Sequence, residues 1–144
     1  MSNTSMTSGD VRLALSWPDT VTERGASEVR LALSWPDKGL SPNARLHWAR
    51  KAKLVKAARK DAWVSTLAVR RRLPALGAGS VNLEVVFCPP DRRRRDRDNL
   101  IASMKAANDG IADALGVDDS RFVSTYSMGP PVKGGSVLVT VRGA

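Results

Sequence analysis

Between Val81 and Cys88 the chain alternates with a period of two, Val81, Leu83, Val85 and Phe87 being separated by Asn82, Glu84, Val86 and Cys88. That pattern predicts a strand with one face on a core. Pro89 and Pro90 end it, since neither can donate to a ladder. From about Asp98 to Leu115 the spacing becomes helical, with Leu100, Met104, Ala107, Ile111 and Leu115 on one face and Gly116 closing the helix. The intervening run PPDRRRRDRDNL, Pro89 to Leu100, therefore leaves a strand end and enters a helix, a common location for sites in α/β proteins.

Other segments extend this frame. The sequence VRLALSWPD occurs at Val11 to Asp19 and again, unchanged, at Val29 to Asp37, eighteen residues later. Two copies do not make a solenoid, so this is a local tandem duplication. Val29, Leu31, Leu33 and Trp35 alternate in the strand manner, and the second copy is contiguous with the following helix, which assigns it to the sheet. The first copy is expected in a flexible or loosely docked extension over residues 1–27. The rival expectation is that it adds an edge strand or exchanges with the second.

Ser41 and Pro42 mark a helix start, and Asn43 to about Arg71 lacks Gly and Pro. A buried stripe of Trp48, Ala52, Val55, Ala62 and Trp63 is expected on this helix, with a strongly basic opposite surface. After Gly116, VDDS forms a turn, and FVSTYSM and SVLVTV read as two strands in a hairpin around GPPVKGG. The order β-α-β-α-β-β predicts an α+β fold, a two-layer structure with a mixed sheet and two helices on one face.

A chain of 144 residues with a net charge of +9 fits one compact domain, and its charge favours a polyanionic partner, nucleic acid before a membrane surface. No apolar run is long enough to span a membrane and MSNTSMTSGD lacks the features of a signal peptide, so a cytoplasmic protein without a membrane partner is expected. Cys88 and His47 are single, which excludes a disulfide within the chain and a zinc site built on thiolates or histidines. Any metal must be a hard ion held by carboxylates.

Asp96 and Asp98 converge if the backbone bends at the helix entry, and Asp98 lies near the positive end of the helix dipole. A third acid is needed to fix a divalent ion, and Asp118 or Asp119 is the candidate. The intervening helix is roughly 25 Å long, so convergence within one chain requires a shorter helix or a turn that doubles back over the sheet. Lys105 lies seven residues after Asp98, within about 20° of it around a helix, and helical side chains lean back toward the acids. The simpler reading makes Asp118 and Asp119 turn formers, Lys105 a solvated cation and the arginines an RNA-binding tract spaced by acids.

PDRRRRDRDNL, Lys105, DALGVDDS at Asp113 to Ser120, and KGG at Lys133 to Gly135 together resemble the RusA family of Holliday junction resolvases. The resemblance runs from about Val29 to the C-terminus and takes in WPD at Trp35 to Asp37 and the basic helix after it. It implies that residues 28–144 form a homodimeric endonuclease that requires magnesium, with manganese as a substitute, and cuts four-way DNA junctions by paired symmetric nicks in recombination and repair. Carried over, Asp96, Asp98 and Asp119 are the metal-binding aspartates, Lys105 the catalytic lysine and Asp118 an assisting acid. Arg92, Arg93, Arg94, Arg95, Arg97 and Lys133 are the DNA contacts. The family pattern places its lysine four residues after the second aspartate, where this chain has Ala102; Lys105 keeps the helical phase one turn further on. The competing functions are a basic module that grips branched DNA or RNA without cutting, and a less selective flap or fork nuclease.

Overall fold

The computed structural model describes residues 28–73 and 76–143, so the first VRLALSWPD copy lies outside the described residues. Four strands, β1 (Glu28–Leu33), β2 (Val81–Cys88), β3 (Phe122–Met128) and β4 (Ser136–Gly143), form one sheet in the order β1-β4-β2-β3. The helices are α1 (Trp48–Val69), α2 (Arg97–Ser103) and α3 (Lys105–Leu115). The protein is thus an α+β fold with a mixed sheet: β4 runs antiparallel to β1 and β2, and β3 runs parallel to β2. A parallel pair cannot be joined by a tight turn, and α2 with α3 supplies the crossover.

The core follows from the alternation. Val29, Leu31 and Leu33, Val137, Val139 and Val141, and Val81, Leu83, Val85 and Phe87 are all buried, and Ala62, Met104, Ala107, Ile111 and Leu115 of the helices close over them. The predicted apolar face of the second helix is therefore the face that packs.

Helices α1 and α3 meet at small residues. A Cβ at Gly110 would overlap the carbonyl oxygen of Arg59 and approach Cβ of Ala62. Gly110→Ala gains about 1 kcal/mol of helix propensity but forces a methyl against backbone that cannot rotate away, a cost of about 1–3 kcal/mol. We expect a net loss of up to about 2 kcal/mol, measured as a lower urea midpoint at unchanged m-value.

Several sequence expectations are corrected. Helix α1 starts at Trp48 rather than Asn43: Ser41 closes only a local turn, its carbonyl accepting from the Ala44 N–H at 3.0 Å. His47 is the cap, its Nδ1 accepting from the Ala49 N–H. Of the expected stripe only Ala62 is buried; Trp48, Val55 and Trp63 are exposed, and Thr66 joins Ala62 on the inner face. The inner stripe of small residues was masked by the larger apolar ones outside it. The second helix is interrupted at buried Met104, whose ψ of −5° and N–H bond to the Ile101 carbonyl tighten the end of α2.

The predicted β3–β4 hairpin does not form. The Gly129 N–H donates to the Phe87 carbonyl and the Val132 N–H to the Pro89 carbonyl, so the connection passes over the end of β2 and delivers β4 to its far side. Pro130 and Pro131 keep this connection extended. Val137 to Val141 are buried on both faces, which demands a central strand, whereas half-exposed β3 suits an edge.

Candidate nucleic-acid interface and acid cluster

The C-terminal ends of β1 and β2 lie at one edge of the sheet, beside the start of β4. Trp35, just past β1, forms a T-shaped ring pair with Phe87 of β2, with centroids 6.2 Å apart and planes at 81°. The Arg95 guanidinium lies 5.5 Å from the Trp35 ring centroid and pairs with Asp91 at 2.9 Å. It also donates to the Arg93 carbonyl at 3.0 Å. Its side chain is only 17% exposed, so Arg95 organises the loop rather than facing a ligand. Gly135, at φ 73°, completes the edge, since a Cβ there would run into Trp35 and Pro90.

The hydrogen bond from Arg95, then the Arg93 N–H, hold the Asp91 carboxyl down at about 2. Because the folded value is lowered, this contribution to loop order is complete above the ordinary value of 3.8 and is lost as pH falls through about 2. Arg95→Met should raise the Asp91 midpoint toward the ordinary range, read from its carboxyl carbon shift in an NMR titration. An unmoved midpoint would assign the effect to Arg93 instead.

The other arginines divide. Arg97 donates to the Tyr126 carbonyl of β3. Arg93 pairs with Asp91 but remains 81% exposed. Arg92 and Arg94 are exposed and have no partner among the described residues, and the same holds for Lys133. Three guanidinium groups therefore point outward, while Arg95 and Arg97 secure the loop that carries them.

Asp96 caps α2, its Oδ1 accepting from the Asp98 N–H at 2.9 Å and the Asn99 N–H at 3.3 Å. Asp98 follows in the first turn, exposed, its carboxylate in no hydrogen bond or ion pair among the described residues. The Asn43 side chain donates to Asn99 Oδ1 at 3.4 Å and ties the segment before α1 to this helix entry.

Lys105 and Asp119 do meet. Lys105 Nζ contacts Asp109 Oδ1 at 3.1 Å and Asp119 Oδ2 at 3.2 Å, and these two carboxylates, Asp109 first, raise the lysine pKa. Asp118 caps the 3₁₀ turn at Asp119–Arg121 by accepting from the Ser120 N–H, which lowers its own pKa. Arg59 pairs with Asp113 at 2.7 Å, and Arg59, Asp109, Asp113, Asp118 and Asp119 line one shallow concavity. Asp109 and Asp113 were not among the expected site residues, although Asp113 opens the DALGVDDS motif and their four-residue steps from Lys105 put all three on one helix face.

Among the described residues, no three carboxylate, thiolate or imidazole side chains are grouped to hold one ion. Asp96, Asp98 and Asp119 thus do not form a single cage within one chain: the first two stand at the start of α2, while Asp119 follows α3 and is held by Lys105. No helix of the described residues is long and apolar enough to cross a membrane.

The chain is 44% identical over 110 residues to an uncharacterized protein of Xylella fastidiosa strain Temecula1, an overlap of 74% of this chain and 71% of the relative. It belongs to that protein's family. No family model matches the chain.

Proposed function

We propose that this protein is a magnesium-dependent, structure-selective endonuclease that resolves four-way DNA junctions by paired nicks, in the manner of the RusA resolvases it resembles. One observation carries the reading. Asp98 stands exposed, its carboxylate unpaired among the described residues, at a helix entry beside outward Arg92, Arg93 and Arg94, although cations able to neutralise it are close in sequence. A loop built only to grip phosphate would do better without that carboxylate. Phosphodiester cleavage uses both signs, guanidinium groups on the flanking phosphates and carboxylates for a hard cation.

The donors fit magnesium in one specific sense. Magnesium is commonly held by one or two carboxylates with the remaining positions taken by water and substrate phosphate, and Asp96 keeps Oδ2 clear of its cap while Asp98 is wholly available. Once bound, the ion would offset charge on the phosphate and acidify water. Lys105, at the start of α3 and turned toward Asp109 and Asp119, would add a positive charge one helix further along the chain. A four-way junction has two equivalent strands to cut and the chain offers one such helix entry, so the working unit is a homodimer.

A second reading draws on the engagement of Asp119 by Lys105 and the absence of a three-acid set among the described residues. These favour a basic module that binds branched DNA or RNA without cutting it. The readings separate in an assay of labelled four-way junction, fork and linear duplex, with magnesium or EDTA. Symmetric nicks confined to the junction and requiring magnesium are expected. Binding without product under every condition would leave the non-catalytic module.

A further inference from the structure

The fold uses Val29, Leu31, Leu33, Trp35 and Asp37 of the motif. Val29, Leu31 and Leu33 are each 5% exposed in the core, opposite Val141, Val139 and Val137 of β4. Trp35 packs on Phe87 beneath Arg95, and Asp37 Oδ1 accepts from the Gly39 N–H at 2.8 Å. Val11 to Asp19 carries the same nine side chains in the same order. Even the preceding position is matched in charge, since Glu28 pairs with Arg142 at 3.1 Å and Asp10 precedes Val11.

We propose that the edge place beside β4 is open to either copy, so that Val11–Asp19 is a spare β1 able to insert there, in its own chain or in a second copy of the chain. An edge strand can be exchanged without breaking the other pairings in the sheet, and swapping of identical elements is a low-cost route to dimers. Within one chain, insertion of the first copy as far as Val21 leaves residues 22–39 as a loop, whose closure cost grows only slowly with length.

The two copies are not equal after the motif. Val21 stands where the second copy has Gly39, and a Cβ at Gly39 would press into side-chain methyls of Leu54 and Leu46. Those methyls can shift, so this is a bias and not a bar. It accounts for the second copy occupying the sheet.

The test uses the full chain throughout. Leu31→Asp and Leu13→Asp singly should each retain a cooperative melt, because an intact copy remains, whereas the double variant should lose it. Loss of the melt in Leu31→Asp alone, or its survival in the double variant, would overturn the proposal. A trap reads the position directly. Arg30 sits opposite Thr140, the Cα separation of such a pair is about 4.5–5.5 Å, and disulfides accept about 4.4–6.8 Å. With Arg12→Cys and Thr140→Cys in the Leu31→Asp chain, the cross-link should become the main product, mapped by peptide analysis against buried Cys88. A non-reducing gel separates insertion within a chain from insertion between chains, and no cross-link at all would refute either.

Discussion

Asp98→Asn should abolish magnesium-dependent nicking of a four-way junction while leaving affinity for it unchanged or higher. The carboxylate takes part in no hydrogen bond or ion pair among the described residues, so its replacement by a near-isosteric amide removes no contact that holds the fold. What it removes is one of two hard anionic donors at the entry to α2. Loss of several kcal/mol of metal-derived stabilisation corresponds to a rate loss of about 10³-fold or more at 1.36 kcal/mol per decade, measured in single turnover. Binding responds in the opposite sense, because one charge that repels phosphate is gone. The salt slope of binding should be unchanged, whereas Arg94→Ala should lower it by about 1. Asp96 makes a less clean variant when replaced by alanine, since loss of its cap costs roughly 1 kcal/mol of helix stability. Full cutting by Asp98→Asn would remove α2's entry from the chemistry, and the non-catalytic module would then be the better reading.

The fold was legible wherever one face of an element decides its place. Val81, Leu83, Val85 and Phe87 alternate because β2 has one face on the core, and Met104, Ala107, Ile111 and Leu115 line up because α3 and the junction before it lie across that same face. The inner face of α1 was illegible for a complementary reason. It meets α3 through Ala62 against Gly110, where close approach requires small side chains, so hydrophobic size pointed to the wrong side. The hairpin expectation used the short link between β3 and β4 and missed the fully buried run Val137 to Val141, which cannot occupy an edge. In the site, the capping role of Asp96 follows from its position before a helical period. The burial of Arg95 does not, because it depends on Trp35, brought to the loop only by the sheet.

That dependence makes Phe87 the residue whose loss should cost most. Its side chain is fully buried, with the Trp35 ring T-shaped to it at 6.2 Å and the Tyr126 ring stacked at 6.1 Å. Phe87→Ala should destabilise the protein by about 3–5 kcal/mol, a large part of the roughly 5–15 kcal/mol that holds an ordinary domain together. Guanidinium denaturation would show it as a lowered midpoint. The effect should not stop at stability, because Phe87 is the support under Trp35, Trp35 lies under Arg95, and Arg95 holds Asp91 down at about 2. Phe87→Leu separates the two consequences: it keeps much of the volume while removing the ring contacts, themselves worth about 0.5–1.5 kcal/mol each. In that milder variant the Asp91 midpoint should rise and amides of residues 91–98 should exchange faster, with the core still folded. If Asp91 stayed near 2 in Phe87→Leu, the loop would be holding its own shape through Arg93 and Arg95, and the sheet would serve only to place its two ends.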